Sequence, residues 1–149
     1  MYNNLKTIGG IDYDRKEKKF ANEIYKTLRN PNLDLESASE VQPYGFRKGK
    51  GSTDVGDVSW MVPTARLRVA TWVPGTSAHT WQAVSAGGMS IGMKGMVNAA
   101  KVIAGTAFDL YNDPEAIKNA KKELIERRGP KFNYYSLLGE RNPPLDYRK

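Results

Sequence analysis

The sequence predicts a helix-rich protein that is either a mainly helical domain or one part of a larger α/β unit. Three observations support this prediction. Four segments combine helical apolar spacing with recognisable helix ends, only residues 65–73 look clearly like a strand, and 149 residues make about one domain. One or two strands cannot form a sheet for so many helices to cover, so an α/β fold would need strands from elsewhere.

The first predicted helix covers about residues 13–29. Asp14 and Glu17 stand three positions apart, the spacing of a capping box that satisfies backbone N–H groups at the helix start. Asn30-Pro31 ends the segment, because proline cannot continue a helix. Apolar residues at helical spacing predict a buried stripe, namely Phe20, Ile24 and Leu28 flanked by Ala21 and Tyr25.

A short helix is favoured in GSTDVGDVSWMVP, residues 51–63. Residues 52–54 (Ser, Thr, Asp) are typical of helix starts, and Pro63 ends the element. A short strand remains an alternative for this segment. Within the helix, one face would carry Val55, Val58, Ser59 and Val62.

The best candidate strand is ARLRVATWV, residues 65–73, and residues 40–44 give only a weak strand signal. In the first of these segments, the apolar-polar alternation typical of a strand places Leu67, Val69, Thr71 and Val73 opposite Arg68, Ala70 and Trp72. Pro74-Gly75 closes it and leads into a loop.

The longest predicted helix covers about residues 89–111. Its broad apolar face predicts a helix in the protein core. That face contains Met93, Met96, Val97, Ala100, Ile103, Ala104, Ala107, Phe108 and Tyr111.

The last predicted helix has clear ends. Asp113 is suited to the N-cap, Pro114 to the first helical position and Glu115 to the positive end of the helix dipole. Gly129-Pro130 ends the helix, and an irregular tail is predicted after it.

Composition limits the classes of function. The chain has no cysteine, so disulfides and thiolate zinc sites are excluded. No apolar run is long enough for a membrane span, and no signal peptide is evident, so we expect a cytoplasmic protein without a membrane partner. The net charge is +7, but the basic residues are spread among acidic neighbours, which favours solvated surfaces over a nucleic-acid interface.

Two loops carry the candidate functional residues, and the first is GSTD. It contains Gly51, Ser52, Thr53 and Asp54 at a predicted helix start, where backbone N–H groups can hold a carboxylate or a phosphate. Asp57 shares the face of Asp54. From the residues alone, however, ordinary helix capping explains the whole segment and is the favoured interpretation.

The second loop, PGTSAHTWQ, contains His79, the only histidine of the chain. The loop follows the predicted strand, and ligands of open α/β sheets usually bind beyond the carboxyl ends of strands. Imidazole is a common metal ligand and general base. A catalytic zinc needs about three protein ligands, so the residues alone favour an ordinary loop histidine.

Taken together, three segments resemble one known family. GSTDVGDVSWMVP, ATWVPGTSAHTWQAVSAGG and SIGMKGMVNAAKVIA, in this order, look like the C-terminal part of the M20 metallopeptidases. They are most similar to the amidohydrolase branch that contains the aminobenzoyl-glutamate utilization protein B. The resemblance extends over nearly the whole chain, from NLKTIGGIDYDRKEKKFANEI to PPLDYRK.

The resemblance implies an α/β fold. Residues 1–149 would form the C-terminal portion of an α/β/α catalytic domain, helix-rich with few strands and without the lid domain. The other strands, the other metal ligands and the acid that activates water would precede Met1.

The resemblance also implies a chemistry and its residues. His79 would be the last ligand of a site for two divalent ions, zinc or manganese, in the complete enzyme. Gly51, Ser52, Thr53 and Asp54 would line the substrate pocket. The substrate would be an amide that bears a carboxylate, such as aminobenzoyl-glutamate or another N-acyl amino acid, and the isolated chain would be inactive.

Two other hypotheses remain open. The chain would be a non-catalytic binding or assembly module derived from such a domain if it forms one well-behaved species. An oligomer, or association with the missing catalytic half, is expected if it is a true half-domain. A basic nucleic-acid binder would instead show a steep dependence of affinity on salt concentration.

Overall fold

The chain divides into two compact units in the computed structural model, which describes residues 1–46, 51 and 53–146. One unit contains residues 1–48 and 65–113, and the other contains residues 49–64 and 114–149. Within the described part of the chain, none of the helices is both long and apolar enough to cross a membrane.

The first unit contains four α-helices. They are α1 (Tyr2–Ile8), α2 (Arg15–Tyr25), α4 (Trp81–Gly87) and α5 (Ser90–Asn112), together with a 3-10 turn at Leu35–Ala38. Helix α5 packs against α1 and α4, while α2 packs against the 3-10 turn. The second unit contains α3 (Val55–Met61) and α6 (Pro114–Arg128).

The predicted start of α2 is confirmed. The side chain of Asp14 accepts hydrogen bonds from the backbone N–H groups of Lys16 and Glu17, and the Glu17 carboxylate accepts one from the Asp14 N–H. The predicted stripe is also confirmed, because Ile24 and Ala21 are buried in the core and Phe20, Tyr25 and Leu28 pack around them. Val73, Ala86 and Ile91 complete that core.

Helices α3, α5 and α6 also form where the sequence predicts them, but α1 and α4 are not among the predicted elements. Helix α4 has a recognisable start: Thr80 is its N-cap, and the Thr80 hydroxyl accepts a hydrogen bond from the Ala83 N–H at 3.3 Å. Helix α1 has no such signal, since its N-cap, Met1, makes no side-chain capping bond.

The predicted strands do not form, so the α/β class is not confirmed. Across the described residues there is no β-strand, and residues 65–73 and 40–44 belong to no ladder. A strand needs a neighbouring strand to satisfy its backbone N–H and C=O groups. Residues 70 and 71 instead lie against α5, where a Cβ atom added to Gly95 would come within 2.6 Å of the Ala70 carbonyl oxygen.

The prediction that the broad apolar face of α5 lies in the core is wrong for this structure. Met93, Met96, Ile103, Phe108 and Tyr111 are between 51% and 88% exposed. The side of α5 that is buried carries Ile91, Gly92, Gly95, Asn98 and Val102. Two glycines lie on the buried side, while the large apolar residues of the predicted face remain on the surface.

An ion pair between a buried carboxylate and a partly exposed ammonium joins α2 to α5. Glu17 is 5% exposed, and its carboxylate accepts a hydrogen bond from the Lys94 ammonium at 2.6 Å. Burial by itself would raise the pKa of Glu17, but hydrogen bonds from Lys94, Ser90 and the Asp14 backbone lower it below its ordinary value. The charged form of Glu17 therefore stabilises the fold.

Candidate functional site

His79 lies in a tight loop between Val73 and α4, in the first unit. The loop begins at a buried anchor, since Val73 is only 1% exposed and Pro74 is buried. Gly75 follows with a φ of 83°, and a Cβ at this position would approach the Pro31 Cβ to 2.7 Å. Glycine is therefore required here for both its conformation and its lack of a side chain.

The other end of the loop is held by Thr80. Besides capping α4, the Thr80 hydroxyl donates a hydrogen bond to the Ser77 carbonyl at 2.8 Å. His79 directly precedes this cap, and its side chain is exposed. The backbone on both sides of the imidazole is therefore fixed by a buried anchor and by a helix cap.

The backbone of His79 has an unusual conformation. Its φ is 61°, in the left-handed region that residues other than glycine rarely adopt, and Asn30 is the other such residue in the described chain. Such conformations persist where the surrounding structure imposes them, and they are concentrated at functional sites. The sequence does not reveal this feature, because histidine is enriched in that region but still adopts it only in a small minority of cases.

The described residues do not form a complete metal site by themselves. They contain no group of three or more His, Asp or Glu side chains arranged to hold a metal ion. The exposed imidazole of His79 has the donor chemistry of one zinc or manganese ligand. Further ligands would therefore have to come from outside the described chain.

The GSTD segment belongs to the second unit. Gly51, Thr53 and Asp54 are exposed, while Ser52 lies outside the described residues. The Thr53 hydroxyl accepts a hydrogen bond from the Val55 N–H at 3.2 Å, and Asp54 is the N-cap of α3 without a capping bond from its side chain. Of these residues only Thr53 makes a side-chain hydrogen bond at the start of α3, so the capping interpretation applies to it and not to the Asp54 side chain.

Other groups of the second unit surround α3. Asp57 hydrogen-bonds the Tyr134 hydroxyl, and this bond raises the pKa of Tyr134. The Trp60 ring stacks on Phe132 with centroids 4.8 Å apart, and Arg128 donates to the Trp60 carbonyl at 2.5 Å. Sequence reasoning missed this cluster, because its members come from two segments about 70 residues apart in the chain, 57–60 and 128–134.

One curated protein supports the resemblance deduced from the motifs. In the aligned region the chain is 34% identical to the B subunit of p-aminobenzoyl-glutamate hydrolase from Escherichia coli (strain K12). The alignment covers 83% of this chain but 31% of that protein, so the chain spans about a third of the relative's length. No protein-family model matches the chain, and no solved structure matches it significantly.

The resemblance to the branch that contains aminobenzoyl-glutamate utilization protein B is therefore confirmed. The relative is named as one subunit of a hydrolase, and this supports the general prediction of a hydrolase. The roles of His79 and of residues 51–54 stay predictions.

Proposed function

We propose that this chain, a relative of the p-aminobenzoyl-glutamate hydrolase from E. coli, is part of a metal-dependent amidohydrolase. The observation that supports the proposal is the 34% identity to one subunit of that hydrolase over most of the chain. The candidate substrate is aminobenzoyl-glutamate, or another N-acyl amino acid or dipeptide-like amide. Because the chain corresponds to about a third of its relative, we expect it to be inactive alone.

In this proposal His79 supplies one ligand to a site for two divalent ions, zinc or manganese. The His79 imidazole is exposed, and the His79 backbone is left-handed and lies between the buried Val73 and the Thr80 cap. An exposed imidazole on a fixed backbone suits a ligand that shares its metal ion with residues outside this chain. When bound, such ions supply Lewis-acid polarisation of the scissile carbonyl. The remaining ligands come from residues outside this chain.

Residues Gly51, Ser52, Thr53 and Asp54 contribute to the pocket for the carboxylate-bearing substrate in the same proposal. The exposure of Gly51, Thr53 and Asp54 leaves them available for such contacts.

A cytoplasmic location and the absence of a nucleic-acid partner remain part of the proposal, on the grounds of the dispersed charge and the composition.

The test uses a chimera in which this chain replaces the matching segment of the E. coli protein. His79→Gly removes the imidazole and tolerates the left-handed backbone, whereas His79→Ala would add strain. We expect His79→Gly to lower hydrolysis of aminobenzoyl-glutamate by roughly 100-fold or more and to reduce the metal content.

Asn30→Gly is the matched control, because Asn30 has the other left-handed backbone of the described residues but no proposed role. Its metal content and activity should stay at the parental level. Full metal content and activity in His79→Gly would refute the ligand assignment.

A second candidate is a non-catalytic assembly module, and the exposed apolar face of α5 favours it. The same chimera separates the two functions. An active parental chimera supports the hydrolase, while a folded chimera that hydrolyses neither aminobenzoyl-glutamate nor another N-acyl amino acid supports the module.

A further inference from the structure

Two turns of the first unit pack against each other beside His79. One is the loop that contains His79, and the other follows α2 and contains Asn30, the second left-handed residue of the described chain. They meet at Gly75, where a Cβ atom would lie 2.7 Å from the Pro31 Cβ and 3.5 Å from the Leu28 Cδ1. The His79 loop therefore packs on the end of α2, although the two segments are far apart in the sequence.

The turn after α2 is fixed by its own hydrogen bonds. We call it the α2 turn and define it as residues 27–33. The Tyr25 hydroxyl donates to the Leu33 carbonyl at 3.0 Å, and the Thr27 hydroxyl donates to the Ile24 carbonyl at 2.6 Å. Ile24 is itself buried in the core. Both ends of the α2 turn are therefore tied to α2, and the turn offers a defined surface for the His79 loop.

Gln82 connects the other end of the loop to the same turn. It lies in the first turn of α4, after His79, and is partly buried. Its side-chain amide nitrogen lies 3.4 Å from the Thr27 carbonyl oxygen and 3.3 Å from the Thr27 hydroxyl oxygen, and it donates to both. These bonds are long, so they orient the loop more than they stabilise the fold. Gly75 and Gln82 thus attach the loop to the α2 turn on both sides of His79.

We propose that Gln82 is a positioning residue for the metal ligand His79. This inference rests on the proposed function, because the position of His79 matters there only if its imidazole binds an ion. The Thr80 cap orders α4 internally, whereas the bonds from Gln82 to Thr27 hold the start of α4 on the α2 turn. A ligand whose backbone is fixed beforehand loses less entropy on binding, and it therefore binds its ion more tightly.

The first measurement concerns the backbone of His79 in the chain of 149 residues. Because the chain has a single histidine, isotope-labelled histidine gives one backbone amide signal for NMR relaxation. Gln82→Ala removes the donor, and it does not weaken α4 because alanine has a higher helix propensity than glutamine. We expect the order parameter of the His79 amide to fall from about 0.85, the value for rigid backbone, to about 0.6 or lower.

Val84→Ala is the matched control on the same helix. Val84 is 77% exposed, and this change also raises the helix propensity of α4 while it keeps the bonds of Gln82. The order parameter of His79 should stay at the wild-type value. Thr27→Val is a second test variant, because it removes one of the two acceptors of Gln82. It should lower the order parameter of His79 in the same direction as Gln82→Ala.

The second measurement is the affinity for zinc of the chimera described above, determined by competition with a chelator. We expect Gln82→Ala to bind zinc roughly tenfold more weakly, as is typical when a residue that supports a ligand is removed. Hydrolysis at saturating zinc should stay near the parental rate, because Gln82 contacts neither the ion nor the substrate in this proposal. A residue that only stabilised the fold would change the amount of folded protein but not the zinc affinity of the folded fraction.

The outcomes separate this inference from its premise. An unchanged order parameter of His79 in both Gln82→Ala and Thr27→Val would overturn the inference. A lower order parameter with parental zinc affinity would also overturn it, and the ligand assignment would survive if His79→Gly still lost its metal. Failure of the proposed function looks different, because His79→Gly would then keep its full zinc content or the parental chimera would bind no zinc. Either of these results overturns the inference together with its premise.

Discussion

On one side of α5, Ile91, Gly95 and Val102 are buried within the first unit, whereas on the other side Met93, Ile103 and Phe108 are more than half exposed. Both sides are rich in apolar residues. What distinguishes the buried side is Gly92 and Gly95, which let backbone segments approach closely. Apolar spacing alone therefore does not show which side of this helix is buried, and the glycines mark the side that packs within the unit.

The largest expected effect comes from filling the closest approach on the buried side. In Gly95→Ala the new Cβ would lie 2.6 Å from the Ala70 carbonyl oxygen and 3.0 Å from the Thr71 Cα. Because these neighbours are backbone atoms, the segment must move, and we expect the free energy of unfolding to fall by about 3 kcal/mol. Urea unfolding followed by circular dichroism measures the change.

Gly105→Ala on the same helix is the matched control. Its Cβ would meet only the Asn4 side chain, at 3.4 Å and beyond, and the alanine gains helix propensity. Its stability should stay equal or rise by up to about 1 kcal/mol. Equal losses in both variants would mean that the close approach of residues 70 and 71 to α5 is wrong.

The next effect compares two valines on opposite sides of α5. Val102 is 0% exposed, so Val102→Ala leaves a cavity, and we expect a loss of about 2 kcal/mol. Val97 is 49% exposed, so Val97→Ala should change the stability of the isolated chain by less than about 0.5 kcal/mol. Equal losses of stability in the two variants would mean that the two sides of α5 do not differ in burial.

Local signals predicted much of the helical structure. The capping box of Asp14 and Glu17, and Pro114 followed by Glu115, give correct helix starts because the interactions lie within one turn. The prediction of a strand at residues 65–73 failed, because it lacked a comparable local signal. Alternation shows that a segment suits a sheet, but a ladder also requires a partner strand, and the described chain contains none.

The candidate site was predicted less completely than the helices. From the residues alone His79 was an ordinary loop histidine, and only the family resemblance made it a candidate metal ligand, a role that stays a prediction. The left-handed backbone of His79 and the double role of the Thr80 hydroxyl depend on contacts that no spacing rule describes. The coordinating partners of a shared site cannot be deduced from one chain that carries only one histidine.

The smallest expected effect concerns the ion pair at the edge of the buried side. The lowered pKa of Glu17 means that its charge stabilises the folded state above the unfolded pKa of about 4.3, and that this stability is lost as the pH falls through the lower folded pKa. Glu17→Gln weakens the bonds to Lys94 and to the Asp14 N–H, so we expect a loss on the order of 1 kcal/mol at pH 7. Below the folded pKa the two proteins should become similar in stability.

Glu23→Gln is the matched control on the same helix. Glu23 pairs with Lys26 at 2.8 Å, but its side chain is 64% exposed, so solvent screens the pair and the stability should barely change. Urea unfolding between about pH 3 and 7 measures the free energy of unfolding of both variants, because carboxylates titrate in this range. If Glu23→Gln reduced the loss of stability at low pH as much as Glu17→Gln does, then burial would not be what gives the Glu17 carboxylate its effect. The contrast between the two sides of α5 would then apply to apolar packing alone.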